Sequence, residues 1–512
     1  MKAVTILVGM LVGLSACAVG PNYRAPKPDV PPQFATQAPN SSPSATPAAE
    51  PTPDPATWWR SLNDPQLDSL VERAVKSNLD VEIALTRLQQ ARTYEVVVVG
   101  HALPDIDAGA AAGRGTGSDL TKGLADNTLR SADTGAGLQH INTIAGFDTA
   151  WELDFFGKYR REFEAARYDK QAAAAARDDV VRSLVADVVR AYIDLRGYQV
   201  EAGILRNTGN VLRESLHVVT IRYDRGITNE LDVALAKREL STLEAQIAPT
   251  DAQIAAVQYS LAVLLGEYPE KIVQELAAPG LIPSMPGAVA AGAPLDLLKR
   301  RPDIQQAERE TAAATARIGV ATANLFPQVT LAGALGSQGQ NWGSTPNIGK
   351  HIWSFGAGAT WPLLDFGTLD AQVDIADLAA HASLVNYRRT ILNAVQEVDT
   401  ALGGFSAQQD RLQHLGDALI AAQRAVDLAT QRYNRGLTDF LNVVDAQRQF
   451  YELEEQYSQT QVAQGEQFVQ LYKSLGGGWQ GYQAVPAIRQ PQPAIIAAFR
   501  RTLSGSAPAT TN

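Results

Sequence analysis

Arg222-Tyr-Asp-Arg-Gly-Ile-Thr-Asn-Glu-Leu-Asp-Val233 returns further along the chain as Arg432-Tyr-Asn-Arg-Gly-Leu-Thr-Asp-Phe-Leu-Asn-Val443, an offset of 210 residues. At the same offset Trp151-Glu-Leu-Asp-Phe-Phe-Gly157 falls on Trp361-Pro-Leu-Leu-Asp-Phe-Gly367, and Leu265-Gly266 on Leu475-Gly476. Self-similarity over so long a period describes one body built from two like halves. The repeated stretch itself reads as a turn between helices. Gly226 and Gly436 suit the left-handed position just past a helix end. Thr228 and Thr438 suit the N-cap of a returning helix. Each half therefore carries a helical hairpin with a tight tip.

Moving away from the tips, there is no proline between Pro104 and Pro249, nor between Pro362 and Pro486. Val180, Val181, Leu184, Val185, Val188, Ala191, Tyr192 and Leu195 recur at helical spacing. A continuous helix from Lys158 to near Tyr223 would measure about 100 Å and would need neighbours to coil against. The return helices end near Leu265-Gly266 and Leu475-Gly476. Upstream, 65–101 carries one apolar helical face (Leu67, Leu70, Val71, Ala74, Val75) and stops near Pro104. Its counterpart is 301–327, with Asp80-Val81 over Asp303-Ile304 at an offset of 223. The change of offset assigns a longer insertion to the first half, as a surface loop at 114–137. Arg300-Arg301-Pro302 reads as a helix start, with Pro302 in the first turn and Asp303 near the N-terminus.

Between these helical stretches the period becomes two. Trp353, Phe355, Ala357, Ala359 and Trp361 alternate with Ser354, Gly356, Gly358 and Thr360. One face is apolar and aromatic and the other small and polar, the pattern of a membrane β-barrel strand. Trp353 and Trp361, with Trp151 in the first half, are candidate membrane-interface aromatics. Each half then gives a β-hairpin, 103–152 and 327–364. No stretch beyond the N-terminal leader is apolar for the roughly 20 residues a spanning helix needs. Four strands cannot close a barrel, and an open edge is not tolerated in lipid. Several chains must pool strands, eight from two chains or twelve from three, and spacing leaves that choice open.

The N-terminus reads as a secretory leader over 1–16, ending in Leu14-Ser15-Ala16-Cys17. That ending looks like a lipoprotein cleavage box, with the sole cysteine, Cys17, as the acylated residue. Ala18, in place of Asp, fits delivery to the outer membrane. Residues 17–57 form a linker, and its Pro- and Ala-rich part, 24–57, reads as an extended tether, with order starting at Trp58-Trp59. The remaining divisions are a first repeat at 58–278 with its tip at 222–231, a proline-rich crossover at 279–299, a second repeat at 300–480 with its tip at 432–441, and a tail at 481–512.

A net charge of −10 argues against a nucleic-acid partner. One cysteine rules out an intrachain disulfide, and the six histidines lack metal spacing. Gly343-Ser-Thr-Pro-Asn-Ile-Gly-Lys350 is one residue too long for a P-loop and is followed by His351. The sequence thus reads as a conduit, with neither enzyme nor metal or cofactor chemistry beyond a lipid on Cys17.

Four further motifs carry a family resemblance: Cys17-Ala-Val-Gly-Pro-Asn-Tyr-Arg-Ala-Pro26, Trp58-Trp-Arg-Ser-Leu-Asn-Asp-Pro-Gln-Leu67, Leu297-Leu-Lys-Arg-Arg-Pro-Asp-Ile304 with Ala307-Glu308 and Ala316-Arg-Ile-Gly319, and the doubled Arg-Tyr-x-Arg-Gly tip. Over roughly 17–480 the chain resembles the outer-membrane factor lipoproteins, the OprM/NodT-like branch of the TolC-like ducts. The resemblance implies an α+β membrane protein. In such a homotrimer a 12-stranded β-barrel continues into a coiled-coil α-helical barrel that meets a periplasmic adaptor and an inner-membrane pump of the resistance–nodulation–division class. It implies a gate at the periplasmic mouth made by Asp445, Asn442 and Tyr433, with Asp232 and Tyr223 in the first half. Asn442 departs from the usual Asp. A ring of three Asp445 carboxylates would repel one another and attract cations. The tips Arg225, Gly226, Ile227, Thr228 and Arg435, Gly436, Leu437, Thr438 are candidate adaptor contacts. The alternatives are a duct for protein secretion, or a non-conducting acylated coiled-coil spacer of the envelope.

Overall fold

The computed structural model describes residues 18–28, 30–37, 54–114, 141–287, 294–339 and 351–482. The leader, Cys17, most of the insertion expected at 114–137 and the tail from 483 lie outside them.

The two halves repeat the same order of helix, two strands, long helix and return helix. The first contains α1 (Pro65–Ser77), α2 (Leu79–His101), β1 (Asp105–Arg114), β2 (Ile141–Leu153), α3 (Lys158–Asp224), α4 (Glu230–Leu264) and the short α5 (Pro269–Glu275). The second contains α6 (Pro294–Arg300), α7 (Pro302–Ala323), β3 (Gln328–Gly339), β4 (His351–Thr360), α8 (Thr368–Asn434) and α9 (Phe440–Ser474). Both outgoing helices, α3 and α8, have 67 residues, and both return helices, α4 and α9, have 35. At 1.5 Å per residue α3 is about 100 Å long. No helix among the described residues is long and apolar enough to cross a membrane.

The helices lie side by side in the order α4–α3–α9–α8 towards the tips and α2–α3–α7–α8 towards the strands. The shorter helices meet end to end, so that α4 is continued by α2 and α9 by α7. At the first joint the Asn78 side chain donates to Leu264 O (2.9 Å) and the Ser77 hydroxyl to Leu265 O (2.7 Å). At the second the buried Arg301 guanidinium donates to Ser474 O (3.0 Å) and pairs with Asp303 (2.6 Å) and Glu397 (2.7 Å). Both returning helices stop at a left-handed glycine, Gly266 (φ 64°) and Gly476 (φ 78°).

The first joint corrects the sequence reading of 65–101 as one helical stretch. Asn78 sits in extended backbone and its Oδ1 accepts from the Asp80 and Val81 amides, starting a new helix. Asn prefers such a cap to a helix interior because its side chain competes for backbone donors. Around this waist lies the main core, with Trp58, Trp59, Leu67, Leu70, Tyr192, Leu261, Phe468 and Tyr472. Trp58 stacks on Tyr472 at 5.3 Å.

The tether reading is also corrected. Residues 18–28 and 30–37 lie against the helices as a strap, while 38–53 of the expected tether lie outside the described residues. The Val19 amide donates to Phe156 O (3.1 Å), and buried Arg161 donates to Val19 O (3.0 Å), Gly20 O (3.1 Å) and Asn22 Oδ1 (2.8 Å). Gly20 (φ 86°) lies so near Gly319 that a Cβ would meet its Cα at 2.5 Å. Phe34 is buried among Leu297, Ile304, Tyr387 and Ile391, and Thr36 bonds Asp399. Proline-rich sequence favours extended chain. Composition alone says nothing of whether that chain finds a surface.

The strands form one antiparallel sheet in the order β1-β2-β3-β4. Its register sorts the side chains cleanly. Ile106, Phe147, Trp151, Leu331, Leu335, Trp353 and Phe355 share one face. Asp105, Asp107, Asp148, Thr330, Ser354 and Gly358 share the other. Among the described residues β1 and β4 each keep one unpaired edge. Trp361 lies one residue beyond β4, and its indole N–H donates to Leu325 O (3.0 Å). Trp151 makes the equivalent bond to Ala102 O (3.0 Å). In both halves, therefore, a tryptophan at the sheet's end is tied to the helix that leads into the sheet.

Candidate functional site

The hairpin tips are built by the glycines that the repeat singled out. Gly226 and Gly436 both take φ 73°. Gly226 N–H donates to Tyr223 O and Ile227 N–H to Arg222 O; Gly436 and Leu437 bond Tyr433 O and Arg432 O in the same way. This paired pattern closes off the last carbonyls of each long helix, and its left-handed residue is the one that carries no Cβ penalty. Ile227 (60% exposed) and Leu437 (63%) stand out at the two ends, and Arg225 and Arg435 are exposed beside them.

The N-caps fall one residue later than the sequence placed them. Asn229 starts α4, its Oδ1 accepting from the Asp232 amide (3.1 Å), and Asp439 starts α9. The threonines face inward along the turn instead. Thr228 donates to the Asp232 carboxylate, and Thr438 Oγ1 accepts from Asn442 Nδ2 (2.7 Å). An amide and a carboxylate at equivalent positions thus make mirrored bonds to equivalent threonines, one donating and one accepting.

Asn442 and Asp445 are exposed one turn apart on α9. Asp445 pairs with Arg448 (3.0 Å), which also approaches Glu452 (3.7 Å). The two tyrosines differ. Tyr223 is exposed, whereas Tyr433 is buried between the hairpins with Val219, Ala236, Phe440, Val443 and Val444. The Arg222 guanidinium lies 4.5 Å from its ring centroid, and the Phe440 ring 5.2 Å. The Tyr433 hydroxyl has no hydrogen-bond partner among the described residues. Sequence reasoning did not single out Arg222, Phe440 or Arg448. Phe440 was within reach, since the repeat sets it against Glu230, an apolar residue against a charge.

Higher up the seam between α3 and α9, a groove of about 340 Å³ is lined by Asp194, Tyr198, Glu201, Ser458, Val462 and Glu466. Gly197 lets the helices approach, for a Cβ there would meet Val462 Cγ2 at 2.4 Å. Burial, and then the neighbouring Glu466, pushes the Asp194 carboxyl up to about 6. Burial and Glu455 push Glu201 up as well.

A protomer with a two-faced antiparallel sheet, unpaired at both edges, and helices of about 100 Å beneath it has the form of one segment of a membrane duct. The sequence profile of the family described as "Outer membrane efflux protein" matches residues 70–267 and 293–477. The chain belongs to that family. It is 31% identical to nodulation protein T of Rhizobium leguminosarum bv. trifolii, over 85% of this chain and 89% of the relative. It is 30% identical to the antibiotic efflux pump outer membrane protein ArpC of Pseudomonas putida, over 91% and 93%. Among solved structures, the outer-membrane channel OprN superposes with a TM-score of 0.81 at 33% identity, covering 91% of this chain and all of that one. This protein is accordingly an outer-membrane efflux channel component with the TolC-like fold, and it is not an enzyme.

Proposed function

We propose that three copies of this chain close a twelve-stranded barrel and a helical tunnel, forming the passive exit duct of a tripartite efflux pump for small molecules. The observation that carries the reading is that an open sheet edge and a stripe of exposed apolar helix residues lie on each of two flanks. Edge strand β1 continues from α2, and edge strand β4 leads into α8. The flanking helices expose Ile83, Tyr94, Val97 and Val263 on one side and Ile375, Leu378, Leu392 and Ile420 on the other. A neighbour related by a closed rotation would pair β4 with β1 and cover both stripes together. The aromatic face of the sheet then meets lipid and the small, acidic face lines the lumen.

In this reading the exposed tips dock onto a periplasmic adaptor, through which an inner-membrane pump of the resistance–nodulation–division class loads the duct. Asp445, supported by Asn442, Asp232, Tyr433 and Tyr223, closes the mouth as an iris. Cys17 carries the lipid anchor; its neighbour Ala18 packs at Gly157, where the second strand passes into α3. Gel mobility of the unheated protein and conductance in planar bilayers test this. A slow band that collapses to monomer on heating, together with ion conductance, is expected. A non-conducting monomer would overturn the proposal.

A further inference from the structure

At the first turns of α3, beside the strap, lies a groove of about 430 Å³. Ala18, Arg160, Arg161, Phe163, Glu164, Arg167, Tyr168, Gln171 and Arg309 line it. Three of the four arginines have acidic partners: Arg160 with Asp154, Arg161 with Glu164, and Arg309 with Glu308. Arg167 is exposed and has no ion pair or hydrogen bond among the described residues. The groove therefore holds one cation in excess, beside the aromatic rings of Tyr168 and Phe163.

Two arguments connect this surplus to the membrane. The first is position. β2 ends at Leu153 and α3 starts at Lys158, so Arg160 lies directly below the sheet. Arg167 lies about 14 Å down the helix axis at 1.5 Å per residue. Side chains lean toward the N-terminus of their helix, and α3 runs away from the sheet. The Arg167 guanidinium is thus aimed back towards the bilayer's polar layer.

The second argument is the repeat. At the 210-residue offset Arg160, Glu164 and Arg167 correspond to Asp370, Asp374 and Asp377, all exposed on α8. The fold accepts acids at this depth in one half, so it does not itself require arginines in the other.

We infer that this groove binds the phosphate of an anionic glycerophospholipid from the inner leaflet of the outer membrane, one per chain. Arg167 supplies the charge-assisted hydrogen bonds to the phosphate oxygens, beside the rings of Tyr168 and Phe163.

The test is native mass spectrometry of the purified full-length protein titrated with phosphatidylglycerol or phosphatidylethanolamine. Preferential retention of phosphatidylglycerol is expected, with Arg167→Glu weakening it roughly five- to tenfold and Arg167→Lys largely preserving it. Unchanged gel mobility of both variants certifies their fold. Equal retention of the two lipids by the unaltered protein, or indifference to Arg167→Glu, would overturn the inference. So would displacement of the lipid by millimolar inorganic phosphate, which would make the groove a site for free anions.

Discussion

Asp445 and Tyr433 are both assigned to the gate, yet their surroundings differ in kind. Asp445 is exposed and held only by Arg448, one turn on. An exposed pair of this type contributes little to folding, roughly 0–1 kcal/mol. Asp445→Ala should therefore leave the melting temperature nearly unchanged while raising single-channel conductance or admitting large antibiotics; unaltered conductance would remove Asp445 from the gate. Tyr433 is buried, with its hydroxyl unpartnered among the described residues. Tyr433→Phe removes that hydroxyl and keeps the ring between Arg222 and Phe440. If the ring's packing is what matters, stability and conductance both hold. A leakier channel would instead show that a neighbouring chain supplies the missing partner. The sequence made Tyr433 and Tyr223 look equivalent. They part because Phe440, where the first half has Glu230, gives only the second tyrosine an apolar bed.

The long rods were legible because period and repeat reinforced each other over 67 residues. The joints were not, since what breaks the helical run at Asn78 is a carbonyl 186 residues away, at Leu264. Removing that tie by Asn78→Ala should cost about 1–2 kcal/mol, seen as a lower unfolding midpoint. Arg301→Ala should cost more, about 3–5 kcal/mol, because it strands the Asp303 carboxylate and the buried Ser474 carbonyl at the joint. Between the joints and the tips, Asp194 gives the seam a pH dependence. A carboxyl held near 6 in the folded chain binds its proton more readily there than when unfolded, where its ordinary value is 3.8. Its contribution is fully present below about pH 4 and is lost as pH rises through 6. Thermal melts of the wild type should therefore show a downward step across that window, and Asp194→Asn should flatten it.

At the scale of the assembled duct, the flanks decide the outcome. Leu392 is 71% exposed on α8, on the same side as the open edge of β4. If three chains close the duct as proposed, Leu392→Glu should abolish the heat-sensitive slow band on a gel and leave monomer, because each interface would bury an unpaired carboxylate. The alternating strand 353–361 made the membrane sheet legible, and strand counting required several chains. The strap formed by 18–28 and 30–37 was hidden, because proline-rich sequence looks the same whether it lies on a groove or hangs in solvent. Its anchor, Arg161, reads in isolation as an ordinary charged helix residue.

The matched dimensions of the two halves, 67 with 67 and 35 with 35, also constrain how such a protein can change over generations. Deleting one residue from α3 alone would turn everything beyond it by about 100° and retract one tip by about 1.5 Å. Its packed neighbours α4 and α9 would no longer agree with it. Span is thus a property that no single segment owns. Lineages spanning a deeper or shallower envelope are expected to differ by coordinated insertions in all four rods, in steps near seven residues that preserve the coiled-coil seam.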